Sequence, residues 1–270
     1  MPRGKMFFSG ITILLLTLWP LVSQSAPPAD AITTPSADPQ IAAALKNISA
    51  QHVQQTVEKL VSFQTRHTLS SDQPASTGKG INAAAEWIKS EFETYSKACG
   101  GCLEVKTDEF TQEPGNRVPN PTKLTNVYAI LRGSDPANAS RIVLVTGHYD
   151  SRNSETNDAM GASPGANDDG SGTAVSLECA RVLSQHKFPA TIIFLTVAGE
   201  EQGLYGSAHF AKMAKAQNWN IEAVLNNDIV GGDKTPGATT QDPHTIRVFS
   251  EGIPINASES ELKLIRSVGG

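Results

Sequence analysis

Apolar positions follow the helical period in the first third of the chain. Amphipathic patterns predict helices over residues 41–61 and 81–98, joined by a polar segment with glycine and proline at 68–80. Both patterns are apolar on one side only, which is typical of helices that cover the outside of a sheet. Two α-helices are therefore predicted ahead of the sheet.

Strand-like and helix-like runs alternate after residue 100. Strands are predicted at 103–110, 127–131, 142–146, 191–197, 221–225 and 245–249, with helices at 172–185 and 205–216. The runs 142–145 and 192–195 are continuously apolar, as expected for strands that helices cover on both faces. The pattern predicts an α/β protein, a three-layer α/β/α fold around a central mixed, mostly parallel sheet.

The N-terminal segment has the layout of an export signal. Arg3 and Lys5 precede an apolar run at 7–22, and small residues including Ser25 and Ala26 follow it. The run is shorter than the roughly 20 residues that a membrane span needs. We expect a signal peptide at 1–26, a flexible leader at 27–39 and a folded domain at 40–270. The mature protein is expected to be secreted or periplasmic, without a membrane span.

Charge and cysteine content narrow the class of protein further. The chain has 22 basic and 27 acidic residues, and neither sign forms a long block, which argues against a nucleic-acid partner. In an exported protein, Cys99 and Cys102 of the CGGC run are expected to form a small-loop disulfide. Cys179 falls on the apolar stripe of a predicted helix, which predicts a buried, inert thiol.

Polar residues follow the predicted strands at the edge where open α/β sheets bind their ligands. His148 and Asp150 are two positions apart after the strand at 142–146, so both side chains point to one face. Asp150 could then accept the imidazole N–H and orient His148 for a metal. A local hydrogen bond without a metal would explain the same pair.

Three further groups of carboxylates follow strands or begin a helix. Asp168 and Asp169 lie in a glycine-rich turn, where one could cap the next helix and the other could bridge two metal ions. Glu200 and Glu201 follow a buried strand, where one could bind zinc while the other moves a proton. Asp228 follows another strand. Helix capping or exposure to solvent is the simpler explanation of each carboxylate group alone. Taken together with His148, the carboxylates form the donor set that zinc takes in hydrolases.

The order of these motifs resembles that of peptidase family M28, which contains the co-catalytic zinc aminopeptidases. The resemblance is carried by the runs GHYDS (147–151), PGANDDGSG (164–172), EEQGLYGS (200–207) and ND (227–228). It implies a zinc exopeptidase-like fold and a metallo-aminopeptidase, a hydrolase whose substrate is a peptide with a free N-terminus. Hydrolysis would use a hydroxide that bridges two zinc ions.

The resemblance also implies a role for each matched residue. His148 and Asp228 would bind one zinc ion, Asp168 would bridge both, and Glu201 would bind the other. Glu200 would be the general acid/base and Asp150 the partner of His148. Members of the family also tend to have a cis peptide bond after the bridging aspartate, here between Asp168 and Asp169.

One expected ligand has no counterpart. The family's second zinc takes a further histidine well downstream of the Asp228 position, and His244, the one histidine after Asp228, comes too early. The remaining histidines are interpreted as surface or packing residues: His52, His67, His186 and His209. We therefore expect a fragment, cut short at its C-terminus, that binds one zinc ion better than two.

Two other functions fit the same residues. A related carboxypeptidase or glutaminyl cyclase would use the same scaffold for another reaction. A non-catalytic scaffold that had lost a metal ligand would keep the fold without the chemistry, although Glu200 would then have no evident purpose. The paired acidic motifs favour the two-zinc peptidase.

Overall fold

A computed structural model describes residues 38–232 and Val248. The described residues from Pro39 onwards belong to one unit. The described residues do not include the signal peptide, most of the leader, His244, the C-terminal end, or the predicted strand at 245–249 apart from Val248, so those expectations stay predictions. No helix within the described part of the chain is long and apolar enough to cross a membrane.

Helices and strands occur in the predicted order. The α-helices are α1 Pro39–Leu45, α2 Ala50–Ser62, α3 Gly80–Ala98, α4 Gly170–Leu183 and α5 Tyr205–Ala216. The strands are β1 Leu103–Gln112, β2 Thr122–Leu131, β3 Arg141–His148, β4 Thr191–Val197 and β5 Asn220–Asn226. Two short 3-10 helices, Thr68–Asp72 and Ala75–Thr77, lie in the polar connection before α3. Apart from the helix predicted at 41–61, each predicted element that falls on described residues is present, with bounds shifted by a few residues.

The five strands form one mixed sheet in the order β1-β2-β4-β3-β5. Strand β3 pairs parallel with both β4 and β5, whereas β2 pairs antiparallel with β1 and β4. The mixed sheet is thus confirmed. Of its four described strand pairs, two are parallel and two are antiparallel. The three parallel strands place their carboxyl ends at the same edge, where the candidate residues lie.

Helices cover both faces of the sheet. On one face, α3 and α4 pack against strands through a core that includes Leu177 of α4 and Phe194 of β4. On the other, Phe210 of α5 packs against a second core that includes Ile193 and Leu195 of β4. Successive β4 side chains therefore enter opposite cores, which explains why the strand is apolar without alternation. The three-layer α/β/α fold is confirmed.

The predicted single helix at 41–61 is wrong, because the structure has two helices there. Ser49 lies between them and its hydroxyl accepts a hydrogen bond from the main-chain N–H of His52, which begins α2. The Ser49 N–H in turn donates to Glu178 Oε1 at 2.7 Å, and Glu178 also contacts Arg181 and His52. This N-cap fixes the start of α2 against α4.

The cysteine predictions are confirmed in part. Cys99 and Cys102 form a disulfide immediately after α3. Cys179 lies on α4 as predicted and packs against the larger core, but it is half-buried rather than buried. Burial raises the pKa of its thiol, which keeps the sulfur protonated and unreactive.

Candidate metal centre and active site

The candidate residues meet because β3, β4 and β5 end together. His148, the last residue of β3, pairs with Val197 at the end of β4, and Thr146 pairs with Asn226 at the end of β5. The chain segments that leave these strands carry Glu200 and Asp228, so both carboxylates arrive beside the His148 imidazole. The convergence predicted from the strand ends is present.

Glycine at two positions lets the start of α4 approach this edge. A Cβ atom at Gly147 would lie 2.5 Å from the carbonyl carbon of Gly172, and one at Gly172 would lie 2.2 Å from the carbonyl oxygen of Asn227. The backbones of β3, α4 and the segment after β5 are therefore in direct contact. This contact brings the turn before α4 to His148 and Asp228.

The two aspartates of that turn have different surroundings. Asp169 is buried; it caps α4 by accepting from the Gly172 N–H at 2.8 Å, and it accepts from the His148 N–H at 3.0 Å. Burial raises the pKa of Asp169 to about 7. Asp168 is half exposed and faces the imidazole instead. The peptide bond between them is cis, as predicted.

One imidazole and two carboxylates form a compact set of potential ligands. One ligand atom from each of His148, Asp168 and Asp228 lies within 4.8 Å of the other two. His148 Nε2 is 3.2 Å from Asp168 Oδ1 and 3.9 Å from Asp228 Oδ1. Nitrogen from histidine and oxygen from carboxylates are the donors that zinc takes in hydrolases, so the residues fit such an ion.

The electrostatics of the site also favour a cation. Burial alone would lower the pKa of His148, but hydrogen bonds to Asp150 and Asp168 outweigh it and raise that pKa to about 11. The surrounding carboxylates thus stabilise positive charge at the imidazole strongly enough to reverse the effect of burial. A divalent metal ion would meet the same stabilisation.

Asp150 lies behind His148, on the side away from the carboxylate cluster. Its side chain is fully buried, with Oδ1 3.5 Å from His148 Nδ1, and the Asp150 carbonyl oxygen is 3.2 Å from the same nitrogen. Asp150 also accepts from Thr68 Oγ1 at 2.9 Å and from the main-chain N–H groups of Glu200 at 3.1 Å and Glu201 at 3.2 Å. With its Nδ1 side facing these acceptors, His148 presents Nε2 to the cluster.

The paired glutamates point in different directions. Glu200 Oε2 lies 3.9 Å from His148 Nε2, beside the cluster. Burial raises the pKa of Glu200, and the neighbouring carboxylates add to that increase. Glu201 Oε2 instead lies 2.7 Å from Arg152 Nε, outside the three-residue set. The assignment of Glu201 to a metal stays a prediction.

A buried arginine that the sequence analysis did not identify supports the site. Arg66 donates to the carbonyl oxygens of Tyr149 at 2.6 Å, Pro164 at 2.7 Å and Gly165 at 2.8 Å. It thereby ties the end of β3 to the turn that carries Asp168. Burial lowers the pKa of Arg66 to about 10, and nearby aspartates oppose this decrease. No periodic signal marks Arg66, because these three partners are more than 80 positions away in the chain.

The four histidines interpreted as surface or packing residues are not part of the three-residue set found among the described residues. His67 is buried and accepts from the Leu69 N–H, and His209 stacks on Phe110 with ring centroids 4.1 Å apart. His52 contacts Glu178, and His186 faces Phe188. Their contacts are those of packing residues, as predicted.

A cavity of about 370 Å³ opens beside the cluster. Glu200 and Asp228 lie on its wall with His148, and its remaining lining is mainly apolar, with Leu195 and Phe210 among the side chains. A small side chain of a ligand could therefore lie next to the candidate metal centre.

Comparisons with known proteins agree with this site. The model of peptidase family M28 matches residues 126–254, which include all the candidate ligands. A probable zinc metalloprotease of Pyrenophora teres f. teres (strain 0-1) is 43% identical over 235 residues, which are 86% of this chain and 48% of that protein. A probable zinc metalloprotease of Pyricularia oryzae is 41% identical over 254 residues, 93% of this chain and 49% of that protein. The chain spans about half the length of these relatives.

A solved structure extends the comparison to the fold. The crystal structure of Legionella pneumophila LapA aminopeptidase matches with a TM-score of 0.53 at 29% identity, over 71% of this chain and 46% of that one. The motifs, the cluster at the sheet edge, the matched family model and the two relatives lead to the same conclusion. Residues 126–254, which carry the candidate site, belong to peptidase family M28.

Proposed function

We propose that the protein is a zinc-dependent exopeptidase that releases residues from the N-terminus of peptides. The observation that carries the proposal is the convergence of His148, Asp168 and Asp228 within 4.8 Å, with Glu200 at the same imidazole. These three residues would hold one zinc ion, and Asp168 with Glu201 would hold a second. Similarity to the two probable zinc metalloproteases supports the choice of metal.

Each residue has a distinct part in the proposed reaction. Zinc, when bound, would polarise the peptide carbonyl and make water easier to deprotonate. Glu200 accepts the proton of the attacking water and then donates it to the leaving amine. Asp150 keeps His148 oriented, and Asp169 holds the main chain of His148 in place.

The charge of the site supports an amino terminus as the bound end of the substrate. Glu200 and Asp228 line the cavity and are partly exposed, and Asp168 is half exposed in the same cluster. Glu200, which is not a proposed zinc ligand, would attract a substrate ammonium group and repel a substrate carboxylate. This favours an aminopeptidase over a carboxypeptidase, in agreement with the similarity to LapA aminopeptidase.

We also propose that the protein acts after export, in the extracellular space or the periplasm. The basic residues Arg3 and Lys5 ahead of an apolar run support this proposal. Its substrates would then be peptides outside the cytoplasm.

The test is hydrolysis of an aminoacyl p-nitroanilide with a free amine, compared with its N-acetylated form, at buffered zinc concentrations. We expect the free amine to be cleaved and the acetylated substrate to be rejected. Glu200→Gln should lower kcat by about 10² to 10⁴-fold, because general acid–base catalysis is lost. Glu222→Gln, an exposed glutamate paired with Arg141 at the opposite end of the sheet, is the matched control.

Three results would contradict the proposal. Equal cleavage of the acetylated substrate would exclude an aminopeptidase, and turnover of Glu200→Gln near that of the wild type would exclude Glu200 as the proton carrier. Cyclisation of a peptide with N-terminal glutamine, in the absence of hydrolysis, would instead identify a glutaminyl cyclase.

A further inference from the structure

Glu200 is held in place through its main chain. Its N–H donates to Asp150 Oδ1 at 3.1 Å, and its carbonyl oxygen accepts from the N–H groups of Gly203 and Leu204, both at 2.9 Å. Its side chain is about one-third exposed. The position of the Glu200 carboxylate therefore depends on the acidic turn, residues 198–204, which joins β4 to α5.

The acidic turn is closed by hydrogen bonds at its two ends. The Tyr205 N–H donates to the Gly199 carbonyl oxygen at 3.0 Å, and the Gly206 N–H donates to the Ala198 carbonyl oxygen at 2.9 Å. The direction in which Glu200 leaves the sheet edge is thus set by how these ends are held.

Asn126 of β2 holds both ends of the acidic turn with one amide group. Its Oδ1 accepts from the Ala198 N–H at 3.1 Å, and its Nδ2 donates to the Gly206 carbonyl oxygen at 3.0 Å. The Asn126 side chain is fully buried. Because a buried polar group without a partner is unfavourable, the amide and both ends of the turn depend on these bonds.

Asp108 of β1 fixes which way the Asn126 amide faces. Asp108 Oδ2 accepts from Asn126 Nδ2 at 3.0 Å, and an ionised carboxylate cannot donate, so the amide oxygen cannot take that place. Asp108 Oδ1 lies 3.1 Å from Nε2 of His209 on α5. The Asn126 amide thus has an acceptor for each of its two N–H groups and a donor for its oxygen.

We propose that Asn126 is a positioning residue for the proposed hydrolysis, and that its amide fastens the acidic turn so that the Glu200 carboxylate stays beside His148. This inference rests on the role proposed for Glu200. Asp150 holds the turn at the Glu200 N–H, whereas Asn126 holds it at its ends. The two residues therefore act on the same turn at different points.

The test is Asn126→Asp, which keeps the size of the side chain and the acceptor for Ala198 but removes the donor to the Gly206 carbonyl oxygen. We expect kcat for a free-amine aminoacyl p-nitroanilide at saturating zinc to fall by about 10- to 100-fold, because a small displacement of a catalytic group is costly. KM and the zinc affinity of the three-residue set should change little, because Asn126 bonds to none of its ligands.

A second variant separates the loss of this donor from repulsion between two carboxylates. In Asn126→Asp the new carboxylate faces that of Asp108, which destabilises the fold. Exchange of the two residues, Asp108→Asn with Asn126→Asp, removes the repulsion because the amide at position 108 donates to the carboxylate at position 126. The exchange variant still has no donor for the Gly206 carbonyl oxygen. We therefore expect its urea midpoint to recover and its kcat to stay low.

Two controls distinguish positioning of Glu200 from general damage. In a Glu200→Gln background, the exchange should lower the residual rate much less than it lowers the wild-type rate, because the group that it positions is already lost. Asn82→Asp is the matched control: Asn82 Nδ2 donates to the carbonyl oxygens of Ser71 at 2.6 Å and Gln73 at 2.9 Å, outside the acidic turn. It should lower stability and leave kcat unchanged.

The possible results distinguish this inference from the proposed function. Wild-type kcat in the exchange variant, or an equal loss of rate with and without Glu200, would overturn the inference and leave the proposed hydrolysis intact. Absence of free-amine substrate cleavage by the wild type would overturn the proposed function and the inference together.

Discussion

Replacement of Asp150 by asparagine should damage both the stability of the chain and its affinity for zinc. Two donors face each carboxylate oxygen: His148 Nδ1 and the Glu200 N–H at Oδ1, and Thr68 Oγ1 and the Glu201 N–H at Oδ2. An amide has one acceptor oxygen, and its NH₂ group cannot accept. Whichever way the asparagine turns, its NH₂ group faces a main-chain N–H.

The expected magnitude follows from this count. The Thr68 hydroxyl can rotate to accept a hydrogen bond from the asparagine NH₂ group. The main-chain N–H of Glu200 or of Glu201 is nevertheless left without an acceptor, which costs about 1–3 kcal/mol when the N–H is buried. His148 loses its charged partner at Nδ1, and loss of such partners weakens metal binding by about 10–100-fold. Asp150→Asn should therefore unfold at lower urea concentration and bind zinc more weakly.

Urea denaturation of the metal-free chain and zinc titration measure the two effects separately. Asp72→Asn makes the same chemical change at an exposed position and serves as the control. If Asp150→Asn matched the wild type in unfolding midpoint and zinc affinity, the hydrogen bonds to Asp150 would not hold the site together, and the reasoning would be refuted.

Two further predictions concern the attachment of α2 to α4. Ser49→Ala should lower the free energy of unfolding by about 0.5–2 kcal/mol in urea denaturation, because the N-cap of α2 is lost. Ser90→Ala on the exposed face of α3 is the control. Equal stability of the two variants would contradict the stabilising role of the Ser49 cap. Burial alone would raise the pKa of Glu178, but hydrogen bonds from Arg181 and the Ser49 N–H lower it below its ordinary value of 4.5. The ionised form of Glu178 therefore stabilises the fold above pH 4.5. At neutral pH, the unfolding free energy of the wild type should exceed that of Glu178→Gln by about 1–3 kcal/mol, and this difference should disappear as the pH falls below 4.5. A difference that does not depend on pH would contradict the assignment.

The strands and the position of the site could be predicted because they depend on local patterns. Continuous apolar runs marked β3 and β4, since both of their faces are buried, and each strand end placed its polar residues at one edge. The cis bond after Asp168 was implied by the family resemblance and is present. The local sequence left open which of Asp168 and Asp169 caps α4, although the resemblance implied that Asp168 binds metal. The hydrogen bond from the Gly172 N–H identifies Asp169 as the cap.

Features that depend on distant partners could not be predicted. The break before α2 lies within a pattern that remains apolar on one side, and its cause is the contact of Ser49 with Glu178, 129 positions later. The pairing of Arg152 with Glu201 and the bonds of Arg66 likewise join segments that are 49 to 99 positions apart. Nothing in the local sequence specifies such partners, because they are set by the packing of the sheet.

The spacing of the cluster along the chain has a consequence for how zinc would act. His148 and Asp168 are 20 positions apart, and Asp168 and Asp228 are 60 positions apart, so the three side chains meet only after β3, β4 and β5 have paired. An unfolded chain presents no such set, and zinc bound as proposed would therefore act as a ligand of the native state alone. Above saturation, each tenfold increase in free zinc would add about 1.4 kcal/mol to the free energy of unfolding. The supply of zinc would then determine how much of the protein persists in its folded form, as well as how fast that form works.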